Sequence, residues 1–215
     1  MTMLPSRSQF TKKEWRIIQS RGTPLQAQRF LTHLLYNNES EGETCRSFRG
    51  VVASGKAHCL EAAITAAVIL EQHGYPPLVV SIESQDKLDH VLFLFRRKER
   101  YGAVARSRDF GLHGRRPVFR RVRDLVMSYF DPYCDMTGRI TGYAVADLRD
   151  LGNYDWRFSR ENVWEVERYL QAIEHTPIKS SDARYRKWHR RYIEFRKLNP
   201  AGPVDIYPKR DCWMF

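Results

Sequence analysis

With 215 residues, 42% of them hydrophobic and 13% aromatic, the chain is long enough to bury one substantial core and too apolar in composition to stay unfolded. No apolar run reaches bilayer length, and residues 1–10 lack the hydrophobic centre of a signal segment. The four cysteines at 45, 59, 134 and 212 include no Cys-x-x-Cys pair, so we expect no membrane insertion, a cytoplasmic protein with reduced thiols, and neither a zinc ribbon nor a disulfide framework.

Residues 1–10 read as a loose arm. Thr11-Lys12-Lys13-Glu14 has the form of a capping box and opens a short helix, with Trp15 and Ile18 on one apolar stripe, before Gly22. Thr23-Pro24 starts a second helix that turns Leu25, Phe30, Leu31, Leu34 and Leu35 inward and ends near Asn37-Asn38. Residues 39–50 are polar and irregular, and lead through Val51-Val52 into an Ala-rich stretch that predicts a helix from about Ala57 to His73, closed by Gly74 in a left-handed stop. After Gly74-Tyr75-Pro76-Pro77 the residues become β-branched and aromatic. Strands are expected at 78–82, 89–96 and 101–107, the last two forming a hairpin around residues 97–100.

The Gly- and Arg-rich segment from Phe110 to Arg123 reads as a surface loop, followed by a helix at 124–129 and a strand at 138–145. From Ser159 the spacing of Val163, Val166, Leu170 and Ile173 is helical and closes at Pro177. A final helix over 181–198 carries Tyr185, Trp188, Tyr192 and Phe195 as a core-facing stripe. Arg184, Arg186, Lys187, Arg190, Arg191, Arg196 and Lys197 lie on its other faces. This basic helix, in a chain of net charge +11, is where an anionic partner such as nucleic acid or an acidic protein would bind. The tail from Asn199 to Phe215 is an arm packed by Trp213 and Phe215.

Cys59 stands in the first turn of the Ala-rich helix, where unpaired N–H groups and the helix dipole favour thiolate, the nucleophilic form. A hairpin turn centred on Glu99-Arg100 makes the numbers of paired residues total 199. His90 is then directly opposite Asp109 on one face, with Cβ atoms about 5 Å apart. A carboxylate at that distance orients an imidazole, and an oriented imidazole activates a thiol. His58 adjoins Cys59, but neighbouring helical residues diverge by about 100°. His73 is roughly 20 Å along the helix at 1.5 Å per residue. His113 as base and Asp86 or Asp89 as orienter remain open. Metal binding through Cys59, His90 and Asp109 lacks a recognisable ligand spacing.

The stretches Gly55-Lys-Ala-His-Cys59-Leu-Glu-Ala-Ala, His73-Gly74-Tyr75, Leu88-Asp89-His90-Val91-Leu92 and Tyr101-Gly102-Ala103-Val104-Ala105-Arg106-Ser107-Arg108-Asp109 resemble the core of the transglutaminase-like superfamily over about residues 25–115. Val91 departs from the aromatic residue that members often carry beside their His, and the C-terminal 100 residues match nothing in the pattern. The resemblance implies an α+β, papain-like fold in which the nucleophile's helix packs on a small antiparallel sheet. It implies a catalytic domain over 1–150, with residues 151–215 as a helical extension packed on it. Cys59 is then nucleophile, His90 general base and acid, and Asp109 the orienting residue. The implied chemistry is acyl transfer on a peptide or amide substrate through a thioester, with no metal or organic cofactor; water makes it a peptidase or amidase, an amine a cross-linker. Backbone N–H groups at the helix start, aided by Tyr36 or Asn37, would hold the oxyanion. The alternatives are a non-catalytic basic binding module and a scaffold with a vestigial triad.

Overall fold

In the computed structural model, which describes residues 4–87, 89–202, 204, 206–207 and 212–215, the N-terminal helices follow their capping signals. The Thr11 side chain accepts from the Glu14 N–H, and the Glu14 carboxylate accepts from the Thr11 N–H, opening α1 (Lys12–Gln19). Thr23 and Gln26 pair in the same way at α2 (Pro24–His33). This helix stops short of Asn37 because the chain extends into β1 (Leu35–Tyr36), which pairs in parallel with β2 (Lys56–Ala57). Residues 1–3 of the expected loose arm lie outside the described residues. The rest of that arm is docked, with Phe10 buried against Trp15, Phe48 and Phe158.

Residues 39–50 are not irregular throughout. Ser47 caps α3 (Phe48–Ser54), and Gly55 ends it at a φ of 69°. A helix this short, containing Gly50 and two valines, has no propensity signal; burial of Phe48, Val51 and Val52 makes it.

The Ala-rich stretch forms α4 (Cys59–Glu71), buried at every position from Leu60 to Glu71. Its small side chains let the surrounding elements approach closely, and each buried Ile, Leu or Val contributes roughly 1.5–3 kcal/mol. Beyond Gly74, at φ 84°, come β3 (Leu78–Ser84), β4 (His90–Arg97), β5 (Arg100–Val104) and β6 (Arg115–Phe119). Then follow α5 (Val122–Met127), α6 (Phe130–Tyr133), β7 (Ile140–Asp147), α7 (Trp164–Ala172), β8 (Thr176–Pro177) and α8 (Asp182–Leu198). Six strands form one antiparallel sheet in the order β6-β5-β4-β3-β7-β8, so the protein is of the mixed α+β class.

Strand alternation divides the interior in two. Val79, Val91, Phe93 and Phe95 face a core built with α4, to which Trp156, Val163, Val166 and Leu170 also belong. Val80, Leu92 and Leu94 face a second core with Tyr129, Phe130, Ile178 and Trp188, joined by the aromatic stripe of α8. No helix among the described residues is long and apolar enough to cross a membrane.

Two expectations need correction. The β4–β5 hairpin pairs Phe93 with Val104 and Arg97 with Arg100, so pair numbers total 197 rather than 199. Its two-residue turn is Lys98-Glu99, both left-handed at φ 46° and 60°, a conformation that neither residue type announces. The segment 110–123 holds a 3-10 turn (Phe110–Leu112) and the edge strand β6 instead of a plain loop. Gly102 makes that last pairing possible: the β5–β6 register shifts there, and a Cβ would stand 2.5 Å from the Phe95 ring and 2.8 Å from the Arg115 carbonyl oxygen.

Candidate active site

Cys59 is the first residue of α4, and His58 before it is the N-cap, with extended backbone (φ −90°, ψ −173°). Divergence by about 100° applies to two helical neighbours, and His58 is outside the helix. Its ring folds back over the first turn: Nε2 donates to the Thr44 carbonyl (2.8 Å), and Nδ1 accepts from the Leu60 N–H (3.3 Å). His58 therefore belongs to the site, contrary to the expectation from spacing. Histidine immediately before Cys59, with Glu61 at the third helical position, was the signal available.

His90, the first residue of β4, is buried, with its ring edge against Tyr129. Its Nε2 donates to the Leu112 carbonyl at 2.8 Å, which fixes the tautomer and leaves Nδ1 for the sulfur. Both imidazoles act on the Cys59 thiol and favour its thiolate form. Burial pushes the thiol up, but the hydrogen bond from His58, then that from His90, and the charge of both rings bring it down to about 5. Burial pushes His58 down, and the hydrogen bond to Cys59 and the thiolate charge outweigh it, raising it to about 9. Both shifts favour the same ion pair, a thiolate on Cys59 beside a protonated His58.

Asp109 is not opposite His90. β5 ends at Val104, and Asp109 precedes the 3-10 turn Phe110–Leu112, whose last carbonyl takes the His90 proton. The Asp109 carboxylate is 3.7 Å from Arg108 and lines the cleft beside His90 and Cys59, but no hydrogen bond joins it to the ring. A backbone carbonyl thus occupies the place expected for a carboxylate. Asp89 contributes its own carbonyl, 3.9 Å from the Cys59 sulfur, and its side chain lines the space on both sides of the thiol. Asp86 accepts from the Thr137 hydroxyl at 2.9 Å and lines the His90 side. His113 is turned toward the Ser107 carbonyl (2.9 Å), and burial lowers it to about 4. His73 bonds the Ile18 carbonyl, beyond the far end of α4.

The parallel β1–β2 pair sets Tyr36 beside Ala57, two residues before the thiol. Burial, then the charge of Cys59, raises the Tyr36 phenol to about 12, so it keeps its proton while lining the His90 cleft. Asn37 differs: its amide donates to the Thr44 hydroxyl (2.7 Å) and to Glu61 (3.2 Å), within a knot centred on the buried Glu61 carboxylate. There Glu61 also accepts from the His58 N–H, the Thr44 hydroxyl and Arg46, tying residues 37–46 to the start of α4.

Cys59 lines two clefts. One, of about 360 Å3, runs past His58 with Glu39, Glu43, Asp89, Glu167 and Lys87. The other, of about 250 Å3, runs past His90 with Asp86, Asp89, Asp109, Asp135 and Arg108. Among the described residues no group of three or more His, Cys, Asp or Glu side chains is arranged to hold a metal ion. No protein-family model matches the chain, and no curated protein matches it.

Proposed function

We propose that the protein is a cysteine-dependent acyl-transfer enzyme with a papain-like, transglutaminase-like core, acting on a peptide or amide substrate through a thioester. The observation that carries this reading is a thiol held at about pKa 5 between two imidazoles at a helix start, lining two open clefts.

The Cys59 thiolate attacks the carbonyl carbon; a C–S bond forms and the C=O pair moves onto oxygen. Backbone N–H groups at the start of α4 and the protonated Tyr36 phenol are the candidates to receive that oxyanion. As the C–N bond breaks, His90 delivers a proton through Nδ1 to the departing amine. Water, or an amine, then attacks the thioester carbon, loses a proton to His90, and restores the thiolate. His90 suits this work because only its Nε2 is committed, to Leu112. His58 is bound by Thr44 and by the first turn, and serves to hold the thiolate. Asp109, without a bond to His90, contributes as a nearby negative charge.

Iodoacetamide labelling tests the proposal. At pH 6 Cys59 is expected to react well ahead of Cys45, Cys134 and Cys212, Cys45 and Cys134 being buried and pushed up to about 12. p-Nitrophenyl acetate is expected to leave an acetyl group on Cys59 in acid-quenched protein. Equal labelling of all four thiols, or no acyl adduct in a protein that labels, would sink it.

α8 supports a second reading alongside the first. Arg186, Lys187, Arg190, Arg191 and Lys197 are exposed on it, a surface for an anionic partner whose binding would weaken steeply with salt and ignore loss of the thiol.

A further inference from the structure

Arg115 opens β6 and is fully buried, and no carboxylate among the described residues pairs with it. Burying a cation without a counter-ion is costly, so its five donors must be satisfied by well-placed oxygens. They are: the guanidinium donates to the carbonyls of Gly111 (2.6 Å) and His113 (2.7 Å) and to the Ser128 hydroxyl (3.0 Å), with longer contacts to the carbonyls of Ser128 (3.3 Å) and Gly114 (3.4 Å). Gly111 and His113 flank Leu112, the residue whose carbonyl receives the His90 proton.

We propose that Arg115 is a positioning residue for His90, and that Trp213 from the C-terminal segment holds it in place. Taking the carbonyls on either side of Leu112 fixes the two neighbouring peptide planes, so the remaining carbonyl is presented outward to the imidazole. A second route runs through Tyr129. The guanidinium carbon lies 3.7 Å from the centre of that ring, and the same ring meets His90 edge-on with centroids 5.8 Å apart. The Tyr129 hydroxyl is buried without a hydrogen-bond partner, so ring contacts rather than its OH hold it there.

Trp213 closes the opposite face of the guanidinium at 4.1 Å. The segment bearing it is attached to β6: the Arg116 N–H donates to the Trp213 carbonyl (2.8 Å), Arg115 bridges to Met214, and Phe215 stacks on Phe95. The last residues of the chain are thereby connected, through one buried cation, to the orientation of an imidazole in the site.

This inference rests on the reading of Cys59 and His90 as a reactive pair, and the test separates the two. The readout is the pH dependence of Cys59 alkylation by iodoacetamide in the full-length protein, with thermal melting as the measure of fold. Arg115→Lys keeps the charge but cannot reach the Gly111 and His113 carbonyls and the Ser128 hydroxyl together, and Trp213→Ala, at a half-exposed residue, removes the lid. Both are expected to raise the alkylation midpoint by about one pH unit, because an unheld imidazole supports the thiolate less well. Trp213→Phe, which keeps an aromatic face, is expected to restore it. Lower melting temperatures with an unchanged midpoint would show Arg115 to be only a loop staple and overturn the proposal. Should Arg115→Lys fail to fold, the Trp213 pair decides. A wild-type midpoint near the ordinary thiol value would instead overturn the reactive-pair reading itself.

Discussion

His58 and His90 reach the same sulfur from different elements, and their separate removal measures what each supplies. The midpoint of Cys59 alkylation is expected near pH 5 in the wild type, with the rate rising through it and then flat to about pH 8, because the thiolate is already fully formed. Replacing either His58 or His90 with Ala is expected to raise the midpoint by about 1–2 units, and His58→Ala by no less than His90→Ala, since its hydrogen bond is the larger of the two stabilising contacts. Acyl turnover should divide them differently: loss of His90 removes the proton carrier and abolishes it, whereas loss of His58 leaves it measurable at pH 8. A midpoint unmoved by His58→Ala would return that residue to a purely capping role. At this scale the sequence yielded Cys59 and His90 but set His58 aside, because the helix boundary falls between residues 58 and 59. Asp109 was misplaced by a register error of two, small enough to keep a plausible face and large enough to substitute the Leu112 carbonyl for a carboxylate.

α4 holds the thiol because both of its ends are fastened. Glu61 gathers the loop of residues 37–46 at one end; at the other, Glu71 takes a two-pronged ion pair from Arg157 at 2.7 and 2.9 Å, both side chains buried. Removing one partner of such a pair leaves an uncompensated charge in the core. Arg157→Met is therefore expected to destabilise the fold by about 3–5 kcal/mol in denaturant titration, without moving the alkylation midpoint of protein that remains folded. A shifted midpoint would mean that strain travels the length of the helix. The element itself was legible from alanine content and Gly74. Neither α3 nor β6 was, since one sets Gly50 and two valines within only seven residues and the other puts Arg115 and Pro117 where a strand pattern calls for apolar residues.

Across the whole molecule the charge is unevenly spread. Among the described residues, seven carboxylates line the two clefts at Cys59 (Glu39, Glu43, Asp86, Asp89, Asp109, Asp135 and Glu167), against two Lys or Arg side chains, Lys87 and Arg108. A chain of net charge +11 thus surrounds its thiol with negative potential. Aminoethyl methanethiosulfonate, a cation, is expected to modify Cys59 at least about tenfold faster than the anionic sulfonatoethyl reagent at low ionic strength, with the ratio shrinking as salt is added. Equal rates would show that the net charge, not the local lining, governs approach.

The sequence by itself determined what depends on neighbours along the chain: the capped helices, the left-handed stop at Gly74, the switch to β-branched and aromatic strands after Pro77, and a cysteine at a helix start. Periodicity and capping are local, so they survive without coordinates. Only the tertiary structure decided which carbonyl holds His90, that His58 joins the pair, that Arg115 is buried without a counter-ion, and that carboxylates collect around the thiol. Each of these depends on a register, a boundary or a chain reversal that moves a side chain by several ångströms while leaving the apolar pattern unchanged.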